Sequence, residues 1–126
     1  MAKSKSRPTD GELQILAVLW RQGPSTVRAV HEALGKQTGY TTVLKLLQIM
    51  IEKGLVRRDK SQRTHVYQAK ASADHTQRQL VKDLIQRAFD GSSTLLILHA
   101  LDVTRPTPQE AAEIRRVLDT DEPGQG

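Results

Sequence analysis

The sequence predicts a mainly α protein with one small β-hairpin, ordered α-α-α-β-β and then further helices. Three observations predict it. Apolar residues recur at helical spacing, in segments opened by capping residues or closed by glycine. One pair of short β-prone runs, "LVRRD" and "THVYQA", flanks the polar "KSQR". The chain has 126 residues and no cysteine, so its core must form without disulfides or thiolate metal sites.

Each element has a local reason. Thr9, followed three residues later by Glu12, is a capping box for the first helix. "ELQILAVLW" then puts Leu13, Leu16 and Trp20 on one face, with Ile15 and Leu19 nearby, and "QGP" at Gln22 to Pro24 stops it. Ser25 is the expected N-cap of a second helix from Thr26 to Leu34, with Val27, Val30 and Leu34 inward. "GKQTG" reads as a loop. The third helix starts at Tyr40 or Thr41 and ends at Lys53, with Gly54 suited to the left-handed residue that follows.

The hairpin comes next. Leu55 and Val66 bring β-propensity, and "THVYQA" alternates polar with apolar residues. "ASADHTQRQLVKDLIQRAFDGSS" predicts a helix of about 17 residues, with a seam of Leu80, Val81, Leu84, Ile85, Ala88 and Phe89, ended by Gly91. "TLLILHAL" is a short apolar helix. "TPQEAAEIRRVLDT" is the last, with Thr107 as N-cap, Pro108 in the first turn and Glu110 closing a capping box. The first five elements have the order of a winged helix. Its second and third helices form a helix-turn-helix, and its hairpin is the wing. The expected segments are a basic flexible arm at 1–8, the winged helix at 9–71, a second helical region at 72–119 and a disordered tail at 120–126.

Net charge is +5, unevenly spread: residues 1–70 hold 13 Lys or Arg against 5 Asp or Glu, and residues 71–126 hold 6 against 9. A basic half suits a polyanion, most often nucleic acid, and equally a merely solvated basic surface. Aromatic residues number only four (Trp20, Tyr40, Tyr67 and Phe89), too few for a platform that stacks single-stranded bases. "TLLILHAL" is far too short to span a bilayer, and "MAKSKSRP" has no apolar stretch behind it to act as a secretory signal. A cytoplasmic location is expected.

"GYTTVLKLLQIMIEKGLVRRD" carries the sharpest signal. Thr41, Lys45, Gln48 and Glu52 fall on one face of an otherwise apolar helix. A recognition helix needs that pattern, with one broad face buried and a narrow polar face for base edges. Lys donates to guanine, Gln pairs with adenine, and the Thr methyl meets thymine. Thr42 lies near the helix start, where backbone N–H groups favour phosphate. A solvated stripe on an amphipathic helix has the same periodicity. Basic residues around it favour DNA: Arg57 and Arg58 follow directly, and Lys60, Arg63 and His65 lie on the hairpin. Arg63, at the tip, suits a phosphate or minor-groove contact. Lys3, Lys5 and Arg7 would add nonspecific contacts. Trp20 is expected in the core.

No motif points to catalysis. The four histidines, His31, His65, His75 and His99, lack metal-ligand spacing, and no acidic pair, nucleophile motif or phosphate loop is present. No enzyme activity, metal, cofactor or small-molecule ligand is expected.

The ordered series "LW…GP.TVR.V…L", "YTTV", "KGLV.R" and "R.H.Y", within residues 8–118, resembles the penicillinase-repressor family, also called the BlaI/MecI/CopY transcriptional regulators. The resemblance implies a homodimeric winged-helix repressor that binds a pseudo-palindromic operator and silences an adjacent operon. The family's DNA-facing motif falls on Tyr40, Thr41, Thr42, Lys45 and Gln48, with Arg63 and His65 on the wing. Its C-terminal helices hold the dimer, which makes Leu80, Leu84, Ile85, Phe89, Leu95 and Leu98 the expected interface. A two-fold partner would set two recognition helices one DNA turn apart, about 34 Å.

The chain departs from the family in places. Members tied to antibiotic resistance are cut at an Asn–Phe bond by a membrane sensor protease; "LLILHALD" stands there and has no such bond. A sensor protease remains an expected partner without a transferable cut site. Copper-responsive members carry a cysteine motif that is absent here. Lys45 and Ile49 stand where many relatives have Thr and Arg. The other functions open to this composition are nonspecific or architectural DNA binding and a winged helix that binds protein.

Overall fold

The computed structural model describes residues 7–35 and 37–120. The expected arm and tail lie outside these residues, apart from Arg7, Pro8 and Thr120. The elements follow the expected order. Helices α1 (Asp10–Gln22), α2 (Val27–Leu34) and α3 (Tyr40–Lys53) precede strands β1 (Val56–Asp59) and β2 (Val66–Ala69). Helices α4 (Ala73–Ala88), α5 (Ser93–Val103) and α6 (Pro108–Leu118) complete the chain. This is a winged helix with C-terminal helices. The chain divides into two units after Val81, inside α4.

In the first unit, Thr9 caps α1 as expected. Its hydroxyl accepts the Glu12 N–H at 3.3 Å, and the Glu12 carboxylate accepts the Thr9 N–H at 3.0 Å. Helix α2 starts one residue later than expected, because Thr26 and not Ser25 is its N-cap. The Thr26 hydroxyl accepts the Ala29 N–H at 3.1 Å. Ser25 is committed elsewhere. Its backbone pairs with Tyr67, N–H to carbonyl at 2.9 Å and carbonyl from N–H at 2.8 Å, and its hydroxyl donates to the Gly23 carbonyl. That bridge ties the α1–α2 connection to the wing.

Strands β1 and β2 are antiparallel, with Val56 opposite Ala69 and Arg58 opposite Tyr67. Helix α3 ends at Gly54, whose φ of 80° is the left-handed conformation that only glycine adopts without strain. The core draws on the first three helices and both strands. Ile15, Leu16, Val18 and Leu19 come from α1, and Val27 and Val30 from α2. Val43, Leu47 and Met50 come from α3, and Val56 and Tyr67 from the hairpin. Trp20 is only half-buried, and its indole N–H donates to the Ala71 carbonyl at 2.9 Å. That bond holds the chain leaving β2 against the end of α1.

In the second unit, Ser92 caps α5 by accepting the Leu95 N–H at 3.0 Å. Thr107 and Glu110 cap α6 reciprocally, at 3.1 and 2.9 Å, with Pro108 in the first turn. Neither α5 nor α6 buries a residue, and α4 buries none either.

Candidate nucleic-acid interface

Helix α3 is held by one face and free on the other. Val43, Leu47 and Met50 are fully buried against α1, α2 and the hairpin. At 100° per residue, the opposite face carries Thr41, Thr42, Lys45, Gln48 and Glu52, and all five are exposed. The polar stripe is therefore surface. Ile49 shares this face, about 40° around the axis from Lys45, and is also exposed. The sequence marked Ile49, with Lys45, as a departure from the family on this helix, and the periodicity that places Lys45 on the polar face also places Ile49 there.

Both ends of α3 are anchored. At the C-terminal end, Lys53 donates to the Glu12 carboxylate at 2.6 Å. The Glu12 side chain is 3% exposed, so this pair is shielded from water. One carboxylate thus caps α1 and fixes the end of α3. At the N-terminal end, the His31 ring on α2 meets the Tyr40 ring edge-on, with centroids 5.7 Å apart. Tyr40 remains 48% exposed. Gly39 is the N-cap of α3, and among the described residues no side chain caps this end. Such a helix end suits an anion.

The wing presents its cations in two directions. Successive strand residues point to opposite faces, and directly paired residues share one. Arg58, opposite the buried Tyr67, lies half-buried on the core side. Arg57, opposite Gln68, is exposed on the other side. The two adjacent arginines therefore do not form a single patch. Arg63 and His65 are exposed in the turn. The turn is shaped by Asp59, whose carboxylate accepts the Ser61 N–H at 2.9 Å. Hydrogen bonds from the Ser61 backbone and then its side chain hold the Asp59 carboxyl below its ordinary value.

The residues expected to dimerise are not enclosed. Leu80, Ile85 and Phe89 are half-buried, while Leu84, Leu95 and Leu98 are exposed, Leu98 to 58%. Helix α5 is apolar nearly all round, a pattern that suits a helix covered on several sides. An open, mostly apolar groove of about 380 Å³ runs past Ala100, Leu101, Pro106 and Ile114. Among the described residues, no three His, Asp or Glu side chains converge to hold a metal. Among them too, no helix is long and apolar enough to cross a membrane.

Comparison with known proteins agrees with this architecture. The family model for penicillinase repressors matches residues 8–120. The chain is 35% identical over 125 residues to the transcriptional regulator BlaI of Mycobacterium tuberculosis strain CDC 1551 / Oshkosh, covering 96% of this chain and 89% of that protein. The BlaI of Mycobacterium tuberculosis strain ATCC 25618 / H37Rv matches to the same extent. A match over nearly the whole chain, on a winged helix with C-terminal helices, settles the family: the chain belongs to the penicillinase repressors, a family of transcriptional regulators.

Proposed function

We propose that the chain is a sequence-specific DNA-binding repressor that acts in the cytoplasm as a homodimer on a pseudo-palindromic operator. One observation carries this reading. Helix α3 is clamped to the core by three fully buried side chains and by ion pairing, yet it exposes a face of hydrogen-bonding residues. Lys45 and Gln48 are the base-reading residues, with Thr41 beside them. Thr42, Tyr40 and the uncapped start of α3 meet phosphate. Arg57, Arg58, Arg63 and His65 supply further backbone contacts from the wing. Phosphate contacts set register and affinity, and base contacts set sequence.

Dimerisation through Leu80, Leu84, Ile85, Phe89, Leu95 and Leu98 is supported by the apolar surface of helices in which no residue is fully buried within one chain. Two linked winged helices bind far more tightly than one, because the second binding step becomes intramolecular. Release then needs only that the link be broken. A signal that cleaves or rearranges the C-terminal helices, such as a membrane sensor protease, would leave weak half-site binders.

Selection from a pool of randomised duplexes at physiological salt tests the reading. The expected product is a two-fold symmetric sequence with half-site centres about 34 Å apart. A pool that binds without enrichment would mark a nonspecific DNA binder, and a pool that does not bind would point to a protein partner.

A further inference from the structure

We propose that Ile49 reads the 5-methyl group of a thymine in each operator half-site; this rests on the repressor reading above. Between residues 7 and 70, only two large apolar side chains among the described residues are exposed, Tyr40 at 48% and Ile49 at 36%. Both lie on α3. Tyr40 has His31 against its ring. Ile49 is not one of the buried core residues. It sits next to Gln48 and one turn after Lys45, inside the polar face.

An isoleucine on that face can neither donate to a base nor pair with a phosphate. In the major groove, the group complementary to it is the thymine methyl, since all the other distinguishing groups are hydrogen-bond donors or acceptors. Its branched side chain is nearly fixed at χ1 in a helix, so little rotamer freedom is lost on contact. Lys45 and Ile49 are about 6 Å apart along the helix axis. The methyl therefore belongs to a base pair within about two steps of the one that Lys45 meets. Burying one methyl is worth about fourfold in affinity.

The test uses the duplex that emerges from the random-pool selection. Each thymine of the half-site is replaced in turn by deoxyuridine, which removes the methyl and leaves the pairing intact. Binding of the full chain is measured by fluorescence anisotropy for the wild type, Ile49→Val and Ile49→Ala. Ile49 is partly exposed, and thermal melts verify that both variants fold. The expected result is one thymine whose replacement weakens wild-type binding about fourfold per half-site. Ile49→Ala should bind both duplexes alike, and Ile49→Val should keep part of the difference. The proposal is overturned if no thymine methyl matters, if the half-site contains no thymine, or if the dependence persists in Ile49→Ala. A selection that yields no preferred sequence would instead remove the repressor reading and this inference together.

Discussion

Replacing Lys53 by methionine should strongly destabilise the winged helix, although the residue lies near the surface. The reason is Glu12. Its carboxylate is 3% exposed and accepts from Lys53 at 2.6 Å. In Lys53→Met the carboxylate keeps the Thr9 N–H but loses its cation, and it has little access to water. Removing one partner of a buried pair costs about 3–5 kcal/mol. The Lys53 side chain is 18% exposed, so water can partly replace it, which favours the lower figure, about 3 kcal/mol. For a unit of this size that is a fall in Tm of roughly 12–24 °C. The assay is thermal unfolding by circular dichroism at one fixed protein concentration, because the proposed dimer would make Tm depend on concentration. Adding Glu12→Gln should restore more than half of the loss. The amide oxygen still accepts from Thr9, and no buried charge remains. A single variant that melts within about 2 °C of wild type, or a double variant no better than the single, would refute the reasoning.

Other outcomes follow from the same geometry. Gln48→Ala should lower discrimination at one base position by about 1–3 kcal/mol, whereas Arg63→Ala should weaken all sequences alike; competition binding against single-base operator variants separates the two. Leu98→Glu, at a 58% exposed position, should leave the fold intact but shift the chain to monomer in light-scattering measurements and weaken operator binding with it. The Asp59 carboxyl should titrate below its ordinary value of 3.8, and Ser61→Pro, which removes both hydrogen-bonding groups, should raise it. Because the folded value is depressed, the turn's contribution is present above pH 3.8 and is lost as pH falls through the lower folded value. Carboxyl NMR shifts against pH would reveal the change.

What could be read from the sequence was local. The capping boxes at Thr9 and Thr107 need residues only three apart, and both formed. Gly54 ended α3 for a reason contained in its own backbone. The exposed polar stripe of α3 followed from spacing, because an amphipathic helix turns its polar face to water. The differences arose from partners distant in the chain. Ser25 had the chemistry of an N-cap, but pairing with Tyr67 took up its backbone and moved the cap to Thr26. Glu12 was legible as a cap, whereas its ion pair with Lys53, 41 residues away, depends on how α1 and α3 cross. The opposite facing of Arg57 and Arg58 was available from strand alternation alone, once the strand bounds were known. Ile49 was legible as a departure from the family on α3, but not as an exposed apolar contact. Its place around the helix and its exposure both separate it from Leu47 and Met50.

The most direct measurement is a pair of anisotropy titrations of the full chain at physiological salt. One uses the selected duplex and the other a shuffled duplex of equal composition, each with wild type and Lys45→Ala. A sequence-specific repressor should prefer the selected duplex by ~1,000-fold or more, bind it as two chains per duplex, and lose much of that preference in Lys45→Ala. Equal affinity for the two duplexes, or a preference untouched by Lys45→Ala, would contradict the assignment of α3 as the reading helix.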